Sequence, residues 1–198
     1  MTEPTHGHKF VGIDPGLSGA AVVYSPSDNW ITRQARFKTP DDLVEGIARA
    51  LTMDVTCVVI EHVHSMRSDG RKSAFSFGSY YGMAIGLLKL SGIPYIECAP
   101  VRWMNFIRKK LEWSWDEEFD SREASKQILK KGEYNHFFKY KSDHNTGDAF
   151  CLAYWLAENS QLMPANSNKM GNLEKLPCFH DLEKMRAERL GQEVAVVK

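Results

Sequence analysis

Two apolar runs in this chain each end in a carboxylate, and that feature limits what the sequence can become more than any other. VTCVVIE (55–61) is almost continuously apolar up to Glu61, and KFVGID (9–14) closes on Asp14 before the turn Pro15-Gly16. A run without polar alternation is expected of a strand buried on both faces. In open α/β sheets, ligands bind outside the carboxyl ends of such strands, which is where both acids fall. Counting with a period of two puts Gly12 and Asp14 on one face, and Cys57, Val59 and Glu61 on one face. If the two strands are neighbours, the two acids lie side by side.

The surrounding pattern predicts a mixed α/β sheet. AAVVYS (20–25) and WITRQARF (30–37) read as strands, and PYIEC (94–98) as a fifth. Thr39-Pro40-Asp41-Asp42 is a helix start, with a hydroxyl cap, a proline in the first turn and two acids at the positive end of the dipole. Leu43, Val44, Ile47 and Leu51 then share one face. Further helices are predicted over 74–90, near 101–111 and 121–131, and from about Gly147 through Ala157. Residues 62–72 read as a polar, basic loop. The expected organisation is a flexible N-terminus (1–8), one domain over 9–159, and a polar extension over 160–198 with a weakly amphipathic stretch at 181–190. Three strands, a helix, a strand, a helix, a strand and then helices describe a five-stranded mixed sheet flanked by helices.

Composition narrows the class. The chain has 198 residues, 43% of them hydrophobic, and 25 Lys+Arg against 25 Asp+Glu. That length buries a core without a disulfide or a structural metal. No run of 18 apolar residues exists and MTEPTHGHKF has no hydrophobic signal core, so a cytoplasmic protein with no membrane partner is expected. Cys57, Cys98, Cys151 and Cys178 are widely spaced without a CxxC pair, and read as buried, reduced thiols. Zero net charge argues against a nonspecific nucleic-acid coat protein. It leaves room for a nuclease, whose acidic metal site offsets basic loops.

A third acid opens the last helix. Cys151, Leu152 and Trp155 lie at +3, +4 and +7 from Asp148, so Asp148 belongs to the stripe that faces the sheet. Asp143 and His144 precede it closely. Converging carboxylates repel one another unless a cation lies between them, and no Lys or Arg is adjacent to the two strand ends in sequence. Hard oxygen ligands with one imidazole suit Mg²⁺ or Mn²⁺. Two ions so held would bracket a scissile phosphate.

Together the stretches VGIDPGLSGAAVVY, VVIEHVHS, SAFSFGSYYGMAIGLLKLSGIPY, ECAPVRW and DHNTGDAFCLAYW resemble RuvC-type Holliday-junction resolvases, especially the variants of phages and prophages. The resemblance covers residues 9–158. It implies a ribonuclease H-like fold and a Mg²⁺-dependent endonuclease, with Mn²⁺ as substitute and two ions per site. Such an enzyme resolves four-way DNA junctions by paired hydrolysis, leaving a 5′-phosphate and a 3′-hydroxyl. The family's acids fall on Asp14, Glu61 and Asp148. The remaining ligand position falls on His144, with Asp143 as second choice. A lysine that these proteins carry before the last helix aligns with Arg122. The family works as a homodimer, matching a two-fold substrate.

DNA contacts are expected from Arg67, Arg71 and Lys72, as phosphate contacts beside the cut. Phe75 and Phe77 would stack on an unpaired base or join the core of the next helix. His62 and His64 alternate like a zinc pair but lack a cysteine partner. Gly78, Gly82 and Gly86 form a smooth ridge on the helix, for close approach of the sheet beneath or of a second subunit. Other readings are a general branched-DNA or flap endonuclease, a non-catalytic DNA-binding module, and an actin-like ATPase. The last needs two lobes, and the chain is too short for two and has no second Asp-x-Gly turn.

Overall fold

A computed structural model of the chain describes residues 7–16, 18–62, 70–130 and 132–163. Five strands form one sheet in the order β3-β2-β1-β4-β5. They are β1 (Phe10–Asp14), β2 (Ala20–Ser25), β3 (Trp30–Arg36), β4 (Cys57–Glu61) and β5 (Tyr95–Cys98). β1 runs antiparallel to β2 and parallel to β4, and β4 runs parallel to β5. The central strand is thus the first, flanked by its own hairpin partner and by the strand that carries Glu61.

Each face of the sheet is covered by helices, and the alternation along the strands decides which side chain goes where. Val11 and Ile13 of β1, with Val58 and Ile60 of β4, pack with α1 (Pro40–Leu51) and α2 (Arg71–Ser91). Phe10, Cys57 and Val59 pack on the other face, against α3 (Pro100–Lys110), α4 (Ser121–Leu129) and α5 (His144–Glu158). Thr39 caps α1 as expected, its hydroxyl accepting from Asp42 N at 3.2 Å while Asp42 reaches back to Thr39 N. Cys57, Cys98 and Cys151 are buried free thiols, and burial pushes the first two up to about 11.

Several boundaries differ from the sequence expectation. α2 begins at Arg71, so both Arg71 and Lys72 lie on the helix's first turn and not in the preceding loop. α5 begins at His144, three residues before the expected start at Gly147. Two 3₁₀ segments, Gly132–Phe138 and Lys141–Asp143, fill the stretch before it. Residues 164–198, including Cys178 and the 181–190 stretch, and residues 1–6 lie outside the described residues.

Glycine placement sets the depth at which α5 sits. A Cβ at Gly12 would collide with the Ala149 carbonyl oxygen and lie 2.7 Å from Ala153 N. The helix axis therefore crosses β1 closer than any side chain permits, and only glycine allows it. The α2 ridge behaves differently. A Cβ at Gly78, Gly82 or Gly86 would meet nothing within 4 Å, so the sheet beneath is not their partner. Phe75, on the same outward side, is 78% exposed, which removes it from the core.

Gly12→Ala is expected to destabilise the fold by about 3 kcal/mol or more, because backbone on both sides must move apart. Urea unfolding of the variant measures this directly. A loss under about 1 kcal/mol would show that α5 is free to ride higher on the sheet.

Candidate active site

The close crossing of α5 over β1 brings three acids to one end of the sheet. Gly12 faces α5, so Asp14, two residues on, faces it as well. Ala149, the residue that Gly12 meets, directly follows Asp148. On the neighbouring strand, Gly12 pairs with Val59 and Ile13 with Ile60, so Glu61 comes level with Asp14 at the strand ends. β1, β4 and α5 thus deliver Asp14, Glu61 and Asp148 to one corner.

The electrostatics record how close they are. Burial pushes the Asp14 carboxyl up to about 7, and the Asp148 charge pushes in the same direction. Burial and then the Asp14 charge push Glu61 up to about 8, with a smaller contribution from Asp148. Asp148 is also raised, by burial foremost. Among the described residues, no Lys or Arg forms an ion pair with any of the three.

Each acid is held by a neutral donor instead. Gly16 N donates to Asp14 Oδ1 at 3.1 Å, and Trp103 Nε1 donates to Glu61 Oε1 at 2.9 Å. The Ser121 hydroxyl, bonded to His144 O at 3.1 Å, also engages Asp148 and lowers its pKa. A Cβ at Gly147 would lie 2.7 Å from Ser121 Oγ, so the starts of α4 and α5 touch here through a glycine. Trp103 and Ser121 were not legible from the sequence, because each lies far along the chain from its acid.

His144 and Asp143 are placed very differently. His144 is exposed, and its Nδ1 is bonded to Lys141 O at 3.0 Å. Its charge would pull both Asp14 and Asp148 down, so it faces the acidic corner. Asp143 is buried and occupied: it pairs with Arg36, lies 3.6 Å from Arg33 and accepts from Tyr140 N at 2.7 Å. Asn145 donates to Ser18 O, tying the first turn of α5 to the β1–β2 turn.

The remaining expected residues are held by other partners or lie elsewhere along the chain. Arg122 forks onto Asp120, with Nε at 3.0 Å, and is an ion-pair partner at the head of α4. Arg71 and Lys72 are exposed at the N-terminus of α2, whose Gly70 cap supplies no side-chain bond. Phe77 stacks on Tyr81 at 6.4 Å, and Tyr81 on His62 at 6.0 Å. Arg67 and His64 lie outside the described residues. Of the other cations, Lys110 and Lys126 pair within the chain with Glu158 and Glu123.

The donor set fits a hard divalent cation in its chemistry: buried and half-buried carboxylate oxygens, mutually repelling, with no described Lys or Arg paired to them. As the side chains stand, no three of His, Cys, Asp and Glu among the described residues converge tightly enough to hold one ion. The corner is assembled by the fold but not drawn together around a centre.

No family model matches the sequence, and no curated relative does. Solved structures do match. The chain is similar to the structure described as T. thermophilus RuvC in complex with Holliday junction substrate, at 16% identity and TM-score 0.51, covering 78% of this chain and 95% of that one. A second, described as Thermus thermophilus RuvC structure, matches at 16% identity and TM-score 0.48, covering 77% and 96%. The chain has the RuvC-like, ribonuclease H-like fold. Among the described residues, no helix is long and apolar enough to cross a membrane.

Raised acids make stability depend on pH with a definite sign. Asp14 and Glu61 ordinarily titrate near 3.8 and 4.5, and in the fold near 7 and 8. Between those limits the native state holds more protons than the unfolded chain, so stability falls as pH rises. With a chelator present, urea unfolding should give a lower stability at about pH 8 than at about pH 5.5, by on the order of 2 kcal/mol. Asp14→Asn should shrink that difference. Equal stability at the two pH values would mean that Asp14 and Glu61 are not desolvated in this way.

Proposed function

We propose that this chain is a divalent-metal-dependent endonuclease that resolves four-way DNA junctions by paired phosphodiester hydrolysis, leaving a 5′-phosphate and a 3′-hydroxyl. The observation that carries the reading is the corner itself: the buried Asp14 with the half-buried Glu61 and Asp148, from β1, β4 and α5, electrostatically coupled and unneutralised by any described Lys or Arg. A purely structural role would leave such a cluster without compensation. The likeness in fold to a RuvC in complex with Holliday junction substrate supports branched DNA as the substrate class.

In this reading Asp14, Glu61 and Asp148 hold the metal, Mg²⁺ with Mn²⁺ as substitute and two ions per site, and His144 completes the set. Bound ions of this kind supply an activated water and stabilise the leaving oxygen. The protein's own part is to keep the carboxylates dry, charged by ion binding and fixed in direction. Asp143 is a positioning residue. Its pairing with Arg36 and Arg33 pins the 3₁₀ turn ahead of α5, and with it His144.

DNA would lie across the carboxyl end of the sheet. Arg71 and Lys72 sit at the positive end of the α2 dipole, where cations are unfavourable without an anion nearby. A phosphate would satisfy both the cations and the uncapped N–H groups. Arg67 is assigned to the same phosphate contacts. Phe75 is exposed enough to stack on an unpaired base, with Phe77 against Tyr81 behind it. Arg122, held by Asp120, is assigned a supporting role near the acids. The outward glycine ridge of α2 supports a homodimer, since nothing in the described chain covers it. Cutting of branched or flap DNA by the same chemistry is the neighbouring reading, and a silent DNA-binding module would lack the acids.

Incubating the full chain with a labelled mobile four-way junction and Mg²⁺ tests this. Paired symmetric nicks are expected, and Asp14→Asn should reduce cleavage more than about a hundredfold with junction binding retained. His144→Ala should cripple cleavage and raise the Mg²⁺ requirement. Asp143→Ala should chiefly lower thermal stability, because it strands two half-buried arginines beside the turn ahead of α5. Single unpaired cuts on flaps and forks would favour the general branched-DNA nuclease. No Asp14-dependent cleavage of any branched substrate would overturn the enzyme reading.

A further inference from the structure

Trp103 is built into the acidic corner in a way that core packing alone does not require. α3 opens with Pro100 in its first turn, which sets Trp103 and Ile107, one turn apart, toward the sheet. Trp103 is only 2% exposed. A buried indole N–H must find an acceptor, and this one finds Glu61 Oε1 at 2.9 Å, across 42 residues of sequence. A phenylalanine would fill the same volume without that bond.

The ring is also held against rotation. Phe119 meets it edge-on at 5.8 Å, and Trp113 packs on Phe119 at 5.5 Å. Arg108 lies over Phe119 at 5.4 Å, and its guanidinium donates to Ser114 O and Glu117 O, at 2.5 and 2.8 Å. The loop after α3 thus clamps the indole from behind. Its donor is neutral, so it fixes one oxygen of Glu61 without cancelling the charge that an ion needs.

We propose that Trp103 is the positioning residue of Glu61: its indole N–H, clamped by Phe119, Trp113 and Arg108, fixes the carboxylate's orientation for divalent-ion binding. The proposal rests on the metal-dependent reading above and adds to it a residue that touches neither ion nor DNA. Partners of this kind typically change metal affinity by about 10–100-fold when removed.

The test uses the full chain, with Mn²⁺ as the probe and calorimetry as the readout. Trp103→Phe keeps the ring and its contact with Phe119 but loses the N–H. Its Mn²⁺ affinity should fall about tenfold or more, with junction binding in chelator and melting temperature near wild type. Paramagnetic Mn²⁺ should also quench a fluorescence component of the wild-type protein that is absent from Trp103→Phe. Quenching in the wild-type protein needs no variant to observe, and its absence in saturating Mn²⁺ would place the indole away from the ion and overturn the proposal. If Asp14→Asn loses Mn²⁺ while Trp103→Phe binds it as wild type does, Trp103 is only a core residue and the proposal is overturned. If wild type and Asp14→Asn bind Mn²⁺ equally, the metal reading itself fails and takes this proposal with it.

Discussion

The desolvation of three converging carboxylates, Asp14 buried and the other two half-buried, with repulsion added to it, is the constraint on which the rest of this structure depends. Asp14, Glu61 and Asp148 come from two strands and a helix, and each would be better solvated almost anywhere else. The fold brings them together by making backbone contacts that few sequences permit. Gly12 lets α5 cross β1 at backbone distance, and Gly147 lets the head of α4 reach the same turn of α5. Neutral donors, Gly16 N, Trp103 Nε1 and the Ser121 hydroxyl, then engage Asp14, Glu61 and Asp148 in turn without adding a positive charge. The arrangement costs stability at neutral pH, and a bound cation would return it. Strain of this sort is usually found where function requires it.

The same corner is braced from both sides. On one flank, Arg33 and Arg36 of β3 reach the turn before α5 and hold Asp143, so the edge strand positions the helix that carries Asp148. Arg33 also lies over the Phe137 ring at 5.5 Å, joining the 3₁₀ segment to that clamp. On the other flank, Trp103 and the aromatic cluster behind it meet Glu61. Both braces are made of groups that leave the acids' charge untouched. The two flanks differ in kind, one ionic and one aromatic, so salt should weaken the first far more than the second.

Much of the architecture was legible in the sequence, and the reasons are particular. β1 and β4 were visible as apolar runs because the central strands are covered on both faces. α1 was visible from Thr39, Pro40 and Asp42, whose cap is local chemistry. The start of α5 was not visible, because His144-Asn145-Thr146-Gly147 are all poor helix formers. What keeps them helical is tertiary: Asn145 bonds Ser18 O, and Gly147 packs on Ser121. α2 was read three residues short for a similar reason, since Arg71 and Lys72 run against the dipole and Gly70 offers no capping side chain. The acids themselves were legible as acids in the wrong place. Spacing favoured His144 over Asp143, but what occupies Asp143 was not legible, because Arg33 and Arg36 sit more than a hundred residues away on β3.

A crystal grown or soaked with Mn²⁺ and measured at an energy where manganese scatters anomalously tests the central claim most directly. The account predicts anomalous density among Asp14, Glu61 and Asp148, with His144 at its edge and Trp103 still bonded to Glu61. Density located elsewhere, or an acidic corner that stays protonated and empty in saturating Mn²⁺, would contradict it.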